Sequence, residues 1–396
     1  MLDAEPYFKT RLGRLYCGDA LEVLKKLPSE CVDVVITSPP YWAKRDYGES
    51  ACKVWGGDPN CDHEWEFDTV ELNLQSRNED FQRPWRDKAS GKVVRGFCKK
   101  CGAWYGQLGM EPTPQMFVDH LVEIFREVKR VLKPTGSLFV VIDDTWSQRG
   151  KGFGTIDPKY PSGRNTTDIV LPARSKGFDV PQKSLCLVPE LFAIKMVYEE
   201  GWILREKIIW CKKVHFYKDR TTYGNAMPES VKDRFCHTWE YIYHFTKSQK
   251  YHFNLDAVRV PHKESSIIRD SLGYKTSPMK GRYQVPWEKR DGTNDQSFLH
   301  PLGANPGDVV QINVRPFKDA HFAVFPPEIP EILIKVACPE NGIVLDPFAG
   351  AGTTLVVAEK MGRKWIGIEI NPDYCEIIKR RFESELRGLI YSDRLF

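Results

Sequence analysis

Three groups of residues have the types and spacing from which chemistry can be built. The first is Thr37-Ser38-Pro39-Pro40-Tyr41-Trp42, directly after the apolar run CVDVVI. Neither proline has a backbone N–H to donate, so a strand ladder stops here. The motif is then either a rigid strand exit or a shelf for a flat, polar, aromatic ligand. On such a shelf the Ser38 hydroxyl and the Pro39 carbonyl are hydrogen-bond acceptors, and Pro40 stiffens the loop, lowering the entropy lost on docking. Tyr41 offers a stacking face, an interaction worth ~1–3 kcal/mol with a base. Trp42 either flanks the ligand or packs beneath the loop.

The second group is VLDPFAGAGTT, Val344–Thr354. Asp346 stands at a strand end, and Gly350 and Gly352 precede a helix whose unpaired N–H groups favour an anionic end. About twenty residues on, IGIEINP ends a strand in Glu369, where a carboxylate suits ribose hydroxyls. The spacing is not G-x-G-x-x-G, and the lysine of a P-loop is missing. The third group is Cys61-x-His63 with Cys98-x-x-Cys101. Two close ligand pairs, one with His and one a CxxC, fit a tetrahedral structural zinc. Cys52 is near enough in sequence to compete for a place in it.

The elements that must position these groups alternate. LYCGDA reads as a strand, LEVLKKL as a helix and CVDVVIT as a strand. Phe117, Leu121, Ile124, Phe125, Val128, Val131 and Leu132 share one helical face, with Gly136 as the expected stop and SLFVVID as the next strand. Helix VPELFAIKMVYEE stops at Gly201 before strands WILREKIIW and WEYIYHFTKS. Helix PPEIPEILIKVAC, strand GIVLD, the glycine loop, helix TTLVVAEKM, strand KWIGIEI and helix PDYCEIIKRRFESEL complete the series. The fold class expected is α/β, a mainly parallel sheet covered on both faces. Residues 48–110 and 257–310 break the rhythm and read as irregular insertions at the rim of the sheet.

Composition bounds the rest. The chain has 396 residues, 41% hydrophobic and 28% charged, and reads as soluble and globular. No stretch approaches the ~20 apolar residues of a membrane span, and the N-terminus shows no secretory pattern. A cytoplasmic location is therefore expected, with the eleven cysteines reduced rather than paired. The net charge of +4 is modest, but basic residues gather with aromatics in two segments, roughly 144–184 and 211–234, read as loops suited to phosphate backbones and exposed bases.

DPFAGAGT and TSPPYW together resemble the motif pair of S-adenosylmethionine (SAM)-dependent DNA amino-methyltransferases. Because the SPPY element precedes the glycine loop, the chain resembles their circularly permuted β-class, a Rossmann-like sheet. The resemblance implies a cofactor set of Asp346, Phe348, Gly350, Gly352, Thr353 and Glu369. GDAL adds Asp19 near the adenine, and HFAVFPPE (His321–Glu328) adds Phe322 at the methionine end. Core packing is the other reading of Phe348, and a structural histidine that of His321. The implied organisation is 1–47 with 111–256 as the catalytic half and 311–396 as the SAM-binding half. Residues 48–110 are a Cys/His insertion absent from simpler members, and 257–310 are the target-recognition region.

An exocyclic amine is a weak nucleophile because its lone pair is delocalised into the ring. Acceptors for both N–H hydrogens, Ser38 and Pro39, draw the nitrogen toward tetrahedral geometry, on a base flipped out of the duplex. Within the resemblance a serine in the first position implies cytosine N4 as the target, with adenine N6 as the alternative. Asp143 or Asp144 borders the base pocket or caps a helix. The implied partner is double-stranded DNA and the implied source a prokaryote or its virus; a cognate restriction endonuclease is left open. A rival of another class is a non-catalytic, zinc-containing DNA-binding protein on the same scaffold.

Overall fold

The computed structural model describes residues 5–44, 47–71, 92–147, 180–271, 299–315 and 324–386. In chain order the elements are β1 (Phe8–Lys9), β2 (Gly13–Cys17), α1 (Ala20–Lys26), β3 (Val32–Thr37), β4 (Cys52–Trp55), β5 (Trp65–Glu71), β6 (Lys92–Cys98) and β7 (Trp104–Gln107). There follow α2 (Pro114–Val131), β8 (Leu132–Ile142), α3 (Val188–Tyr198), β9 (Ile203–Cys211), β10 (Lys213–Phe216), β11 (Thr221–Gly224) and β12 (Trp239–Thr246). The last are α4 (Glu264–Ser271), β13 (Val309–Gln311), α5 (Glu328–Ala337), β14 (Ile343–Asp346), α6 (Thr353–Lys360), β15 (Lys364–Glu369) and α7 (Pro372–Glu385).

Among the described residues, nine strands form the main sheet in the order β1-β2-β15-β14-β3-β8-β12-β9-β13. The middle, β2 through β8, is parallel throughout. β12 runs antiparallel between β8 and β9: the connection 212–238 holds the β10–β11 hairpin and no crossover helix, so the chain turns back from the rim where β9 ends. The expected mainly parallel sheet thus holds, with β1 and β12 as the reversed strands. Helices α1, α2 and α3 pack one face through Leu24, Phe117, Phe125 and Phe192, all buried. Helices α5, α6 and α7 cover the other through Ile334, Leu355, Ile378 and Phe382. Each face thus removes a continuous apolar layer from water, at roughly 25 cal/mol per Å². Every parallel strand ends on one rim, and the crevice outside such ends is where open α/β sheets bind ligands.

Several expectations need correction. The helix expected to stop at Gly136 ends at Val131 and passes straight into β8, which contains that glycine. The described parts of 48–110 are not irregular, with 72–91 outside the described residues: β4, β7, β6 and β5 make a separate antiparallel sheet. Its β4 and β7 are four residues each, too short to show a period, and their pairing comes from segments some fifty residues apart. The basic segment 211–234 holds the β10–β11 hairpin rather than only loop. Part of the expected recognition region is an edge strand, since β13 pairs with β9. Residues 272–298 and 148–179 lie outside the described residues, as do His321 and Phe322. Among the described residues, no helix is long and apolar enough to cross a membrane.

Candidate active site

The two sequence motifs meet at adjacent strand ends. β3 and β14 are parallel neighbours, so Thr37 and Asp346 finish side by side. The Thr37 hydroxyl donates to Asp346 Oδ1 at 2.7 Å, and the Phe348 N–H donates to the same oxygen at 3.1 Å. The carboxyl group of Asp346 is buried and turned into this junction. Burial pushes its pKa up to about 6, against the lowering effect of the Thr37, Thr354 and Phe348 donors. It ties the base of one loop to the base of the other.

The glycine loop follows. Gly352 has φ +76, and a Cβ there would come within 2.8 Å of the Ile378 side chain, so α6 can begin so close to α7 only with glycine. Glu369, at the end of β15, accepts the Gly350 N–H at 2.8 Å and the Asn371 N–H at 2.9 Å. Burial raises it to about 7, with the two N–H donors opposing. Phe348 is partly buried against the core below. The Thr353 hydroxyl accepts from Arg381 Nη1 at 3.1 Å, and the same guanidinium holds the Ala351 carbonyl at 2.6 Å. Asp19 follows β2, where it caps α1 through the Glu22 N–H and pairs with Lys53 of β4 at 2.9 Å. Asp19, Asp346, Gly350, Gly352 and Glu369 therefore lie on the ends of three neighbouring strands.

On the other side of the junction, Ser38 is half-buried, Pro39 buried and Pro40 half-buried. The Tyr41 hydroxyl donates to Glu240 Oε2 at 2.6 Å, and Lys212 ion-pairs with the other carboxylate oxygen. Burial, with the Glu240 and Asp143 carboxylates, pushes the Tyr41 phenol well above its ordinary value. The ring is therefore anchored as a neutral phenol with its orientation set by β12. Trp42 lies beneath the loop, 1% exposed, its indole N–H donating to the Glu111 carbonyl at 3.0 Å. Asp144 is the helix cap: its carboxylate accepts the Leu187 and Val188 N–H groups at 2.8 and 3.2 Å, at the start of α3. Asp143 instead pairs with His237 Nε2 at 2.7 Å.

Glu240, Lys212, His237 and Arg381 were missed from the sequence. Glu240 left a signal, a lone carboxylate in the aromatic strand WEYIYHF. Glu240→Ala would leave the Lys212 ammonium and the Tyr41 hydroxyl without their partner. We expect it to cost about 3 kcal/mol of stability, the low end for breaking a buried ion pair, read by urea denaturation.

The Cys61, His63, Cys98 and Cys101 ligand atoms all lie within 4.8 Å of one another. Cys61 Sγ is 3.9 Å from Cys98 Sγ, and Cys101 Sγ is 3.4 Å from His63 Nδ1. Tetrahedral zinc with bonds of about 2.3 Å to sulfur and 2.0–2.1 Å to nitrogen needs ligand edges of roughly 3.5–3.8 Å, so the four fit the ion. Cys52 is not among them and pairs in β4 opposite Gln107.

A glycine turn, an acidic strand end and the Ser38-Pro39-Pro40 loop thus share one rim of a doubly wound sheet, where open α/β sheets bind ligands. The DNA methylase family model that spans the N6 and N4 enzymes matches residues 32–380, and the chain belongs to that family. It is 30% identical to the Type II methyltransferase M.Cfr9I of Citrobacter freundii, over 95% of this chain and 89% of that one. It is also 30% identical to M.XycI of Xanthomonas campestris pv. cyanopsidis, over 96% and 91%. Among solved structures, the cytosine-N4-specific PvuII DNA methyltransferase shares the fold with a TM-score of 0.53, at 19% identity, covering 96% of this chain and 90% of that one. The chain is a DNA methyltransferase of the amino-methylating type.

Proposed function

We propose that the chain methylates the N4 amino group of cytosine in double-stranded DNA, with S-adenosylmethionine as donor. The observation that carries this is the Thr37–Asp346 bond, which sets the Ser38 shelf beside the glycine loop. When bound, the cofactor supplies a methyl group on a positively charged sulfur. Ser38 and the Pro39 carbonyl accept the two N–H hydrogens of the flipped base, and Tyr41, anchored by Glu240, holds its ring. The nitrogen lone pair forms the new N–C bond as the C–S bond breaks and its electrons stay with sulfur. The extra proton on nitrogen then leaves to solvent water, because neither the Ser38 hydroxyl nor the Pro39 carbonyl is basic enough to keep it. Serine in the first position of the motif, by its resemblance to the cytosine-N4 enzymes, supports cytosine over adenine N6.

The β10–β11 hairpin follows β9 on the same rim and carries Lys213, Lys218 and Arg220 with exposed Phe216, Tyr217 and Tyr223. That combination suits a phosphate backbone and unstacked bases, and with residues 257–310 we assign it to target recognition. Both relatives quoted above are named Type II methyltransferases, which supports a role as the modification half of a restriction–modification pair. The Cys61, His63, Cys98 and Cys101 set we read as a structural zinc site.

Transfer of labelled methyl groups from SAM to mixed-sequence duplex DNA tests the activity. No transfer to any duplex would reject it. The Glu369 carboxylate also makes SAM affinity depend on pH. Ribose hydroxyls donate best to the ionised acid, and burial pushes that acid up to about 7. Affinity is therefore expected to rise from about pH 6 to about pH 8 and then level off. In Glu369→Gln, calorimetry should find weaker binding and a flat profile over that range.

A further inference from the structure

From the Cys61, His63, Cys98 and Cys101 cluster to the Ser38–Trp42 loop runs a continuous line of contacts, most of them buried. Cys98 ends β6 and Cys101 lies in the turn to β7. Ala103 and Trp104, directly after it, are each 1% exposed and part of the core. The ring of His120, on α2, stacks on Trp55 of β4 with centroids 4.2 Å apart, and on Trp104 at 5.4 Å. His120 Nδ1 is 2.9 Å from Glu111 Oε1, and that carboxylate is fully buried. Its other oxygen accepts the Gly109 N–H at 2.8 Å.

Glu111 and Gly109 then hold the loop itself. The Glu111 carbonyl takes the Trp42 indole N–H at 3.0 Å, and the Gly109 carbonyl takes the Ala43 N–H at 2.8 Å. Gly109 has φ +94, and a Cβ there would stand 3.3 Å from the Tyr41 carbonyl and 3.4 Å from Pro40 Cβ. The segment 109–111 is thus a cradle moulded to residues 40–43. Arg95 of β6 donates to the Met110 carbonyl at 2.7 Å, tying the cradle to the strand that carries Cys98. On the cofactor side, Lys53 of β4 reaches Asp19 at 2.9 Å.

We infer that the metal-bound insertion sets the position of the Ser38 shelf, with Glu111 and His120 as positioning residues for methyl transfer. This rests on the reading of the four ligands as a zinc site and of Ser38 as the acceptor. The metal locks the turn that places Trp104, the two tryptophans fix the His120 ring, and His120 fixes the Glu111 carboxylate. The carboxylate orders residues 109–111, which carry the loop. None of these groups touches the reacting atoms. Their effect is on how often the shelf stands in its productive geometry, so it belongs in kcat rather than in cofactor affinity.

The test compares the full-length wild type with Glu111→Gln and with Cys98→Ser/Cys101→Ser. Metal content by mass spectrometry, SAM affinity by calorimetry and steady-state transfer to duplex DNA are measured on each. We expect one zinc per wild-type chain. Glu111→Gln should keep its zinc and a SAM affinity within about twofold, while kcat falls about tenfold. The double cysteine variant should lose zinc and lose at least as much in kcat. Zinc-free wild type would overturn the metal reading. Full kcat in Glu111→Gln, in a wild type that does transfer methyl groups, would overturn the positioning inference alone. So would equal losses of kcat, SAM affinity and melting temperature, the pattern of a residue that only stabilises the fold. Absence of transfer by the wild type itself would instead reject the proposed activity.

Discussion

Ser38→Ala is expected to lower kcat by about 10²-fold or more, with SAM affinity within about twofold of wild type. The amine to be methylated must shed conjugation with its ring as it attacks, and acceptors aimed at its N–H hydrogens favour that change. Their benefit is greatest where positive charge develops on nitrogen, so the loss falls on the transition state. A hundredfold loss corresponds to about 2.7 kcal/mol of barrier, within reach of one well-placed polar contact. Ser38 lies across the Thr37–Asp346 junction from the glycine loop, and no bond ties it to Glu369 or Gly350 among those that build the cofactor side. Single-turnover transfer with calorimetric SAM binding separates the two effects. Loss of affinity equal to the loss of rate would place Ser38 on the cofactor instead.

Asp346→Ala is expected to abolish measurable SAM binding and to destabilise the protein. Its carboxyl group is the shared acceptor for the Thr37 hydroxyl and the Phe348 N–H. Removing it orphans donors at the bases of both loops, at about 1–3 kcal/mol for each that stays buried and unpaired. The sign with pH follows from burial. The folded pKa, about 6, lies above the ordinary value of 3.8. The stabilisation linked to this carboxyl is therefore fully present below 3.8 and is lost as pH rises through about 6. The stability gap between wild type and Asp346→Ala should accordingly be wider at about pH 5 than at about pH 8. Urea denaturation at the two values measures it, and a gap that widened toward high pH would mean that the Thr37, Thr354 and Phe348 donors outweigh burial and hold the folded carboxyl below its ordinary value.

The alternation of short apolar strands with amphipathic helices made the sheet legible, since buried parallel strands read as continuous apolar runs. The rim was legible for the same reason, because Ser38, Asp346 and Glu369 each follow directly on such a run. What escaped depends on contacts between distant segments. Glu240 meets Tyr41 across 199 positions, and Arg381 meets Thr353 only because α7 packs beside α6. β12 reverses the sheet, although its own residues alternate no differently from those of a parallel strand. The insertion looked irregular because its strands are four to seven residues long and its order comes from the tryptophan–histidine stack and the Cys/His cluster. A ligand set can be read from CxH and CxxC spacing. That Cys52 stays out of it is decided by its pairing in β4.

Cytosine-N4 transfer is tested most directly by digesting duplex DNA methylated by the purified protein and identifying the modified nucleoside by mass spectrometry. N4-methylcytosine is the expected product, formed with SAM and lost with Ser38→Ala. N6-methyladenine as the sole product would contradict the assignment of the base from Ser38 while leaving the amino-group chemistry in place. 5-Methylcytosine, or no methylated nucleoside at all, would contradict methyl transfer to an exocyclic amine altogether.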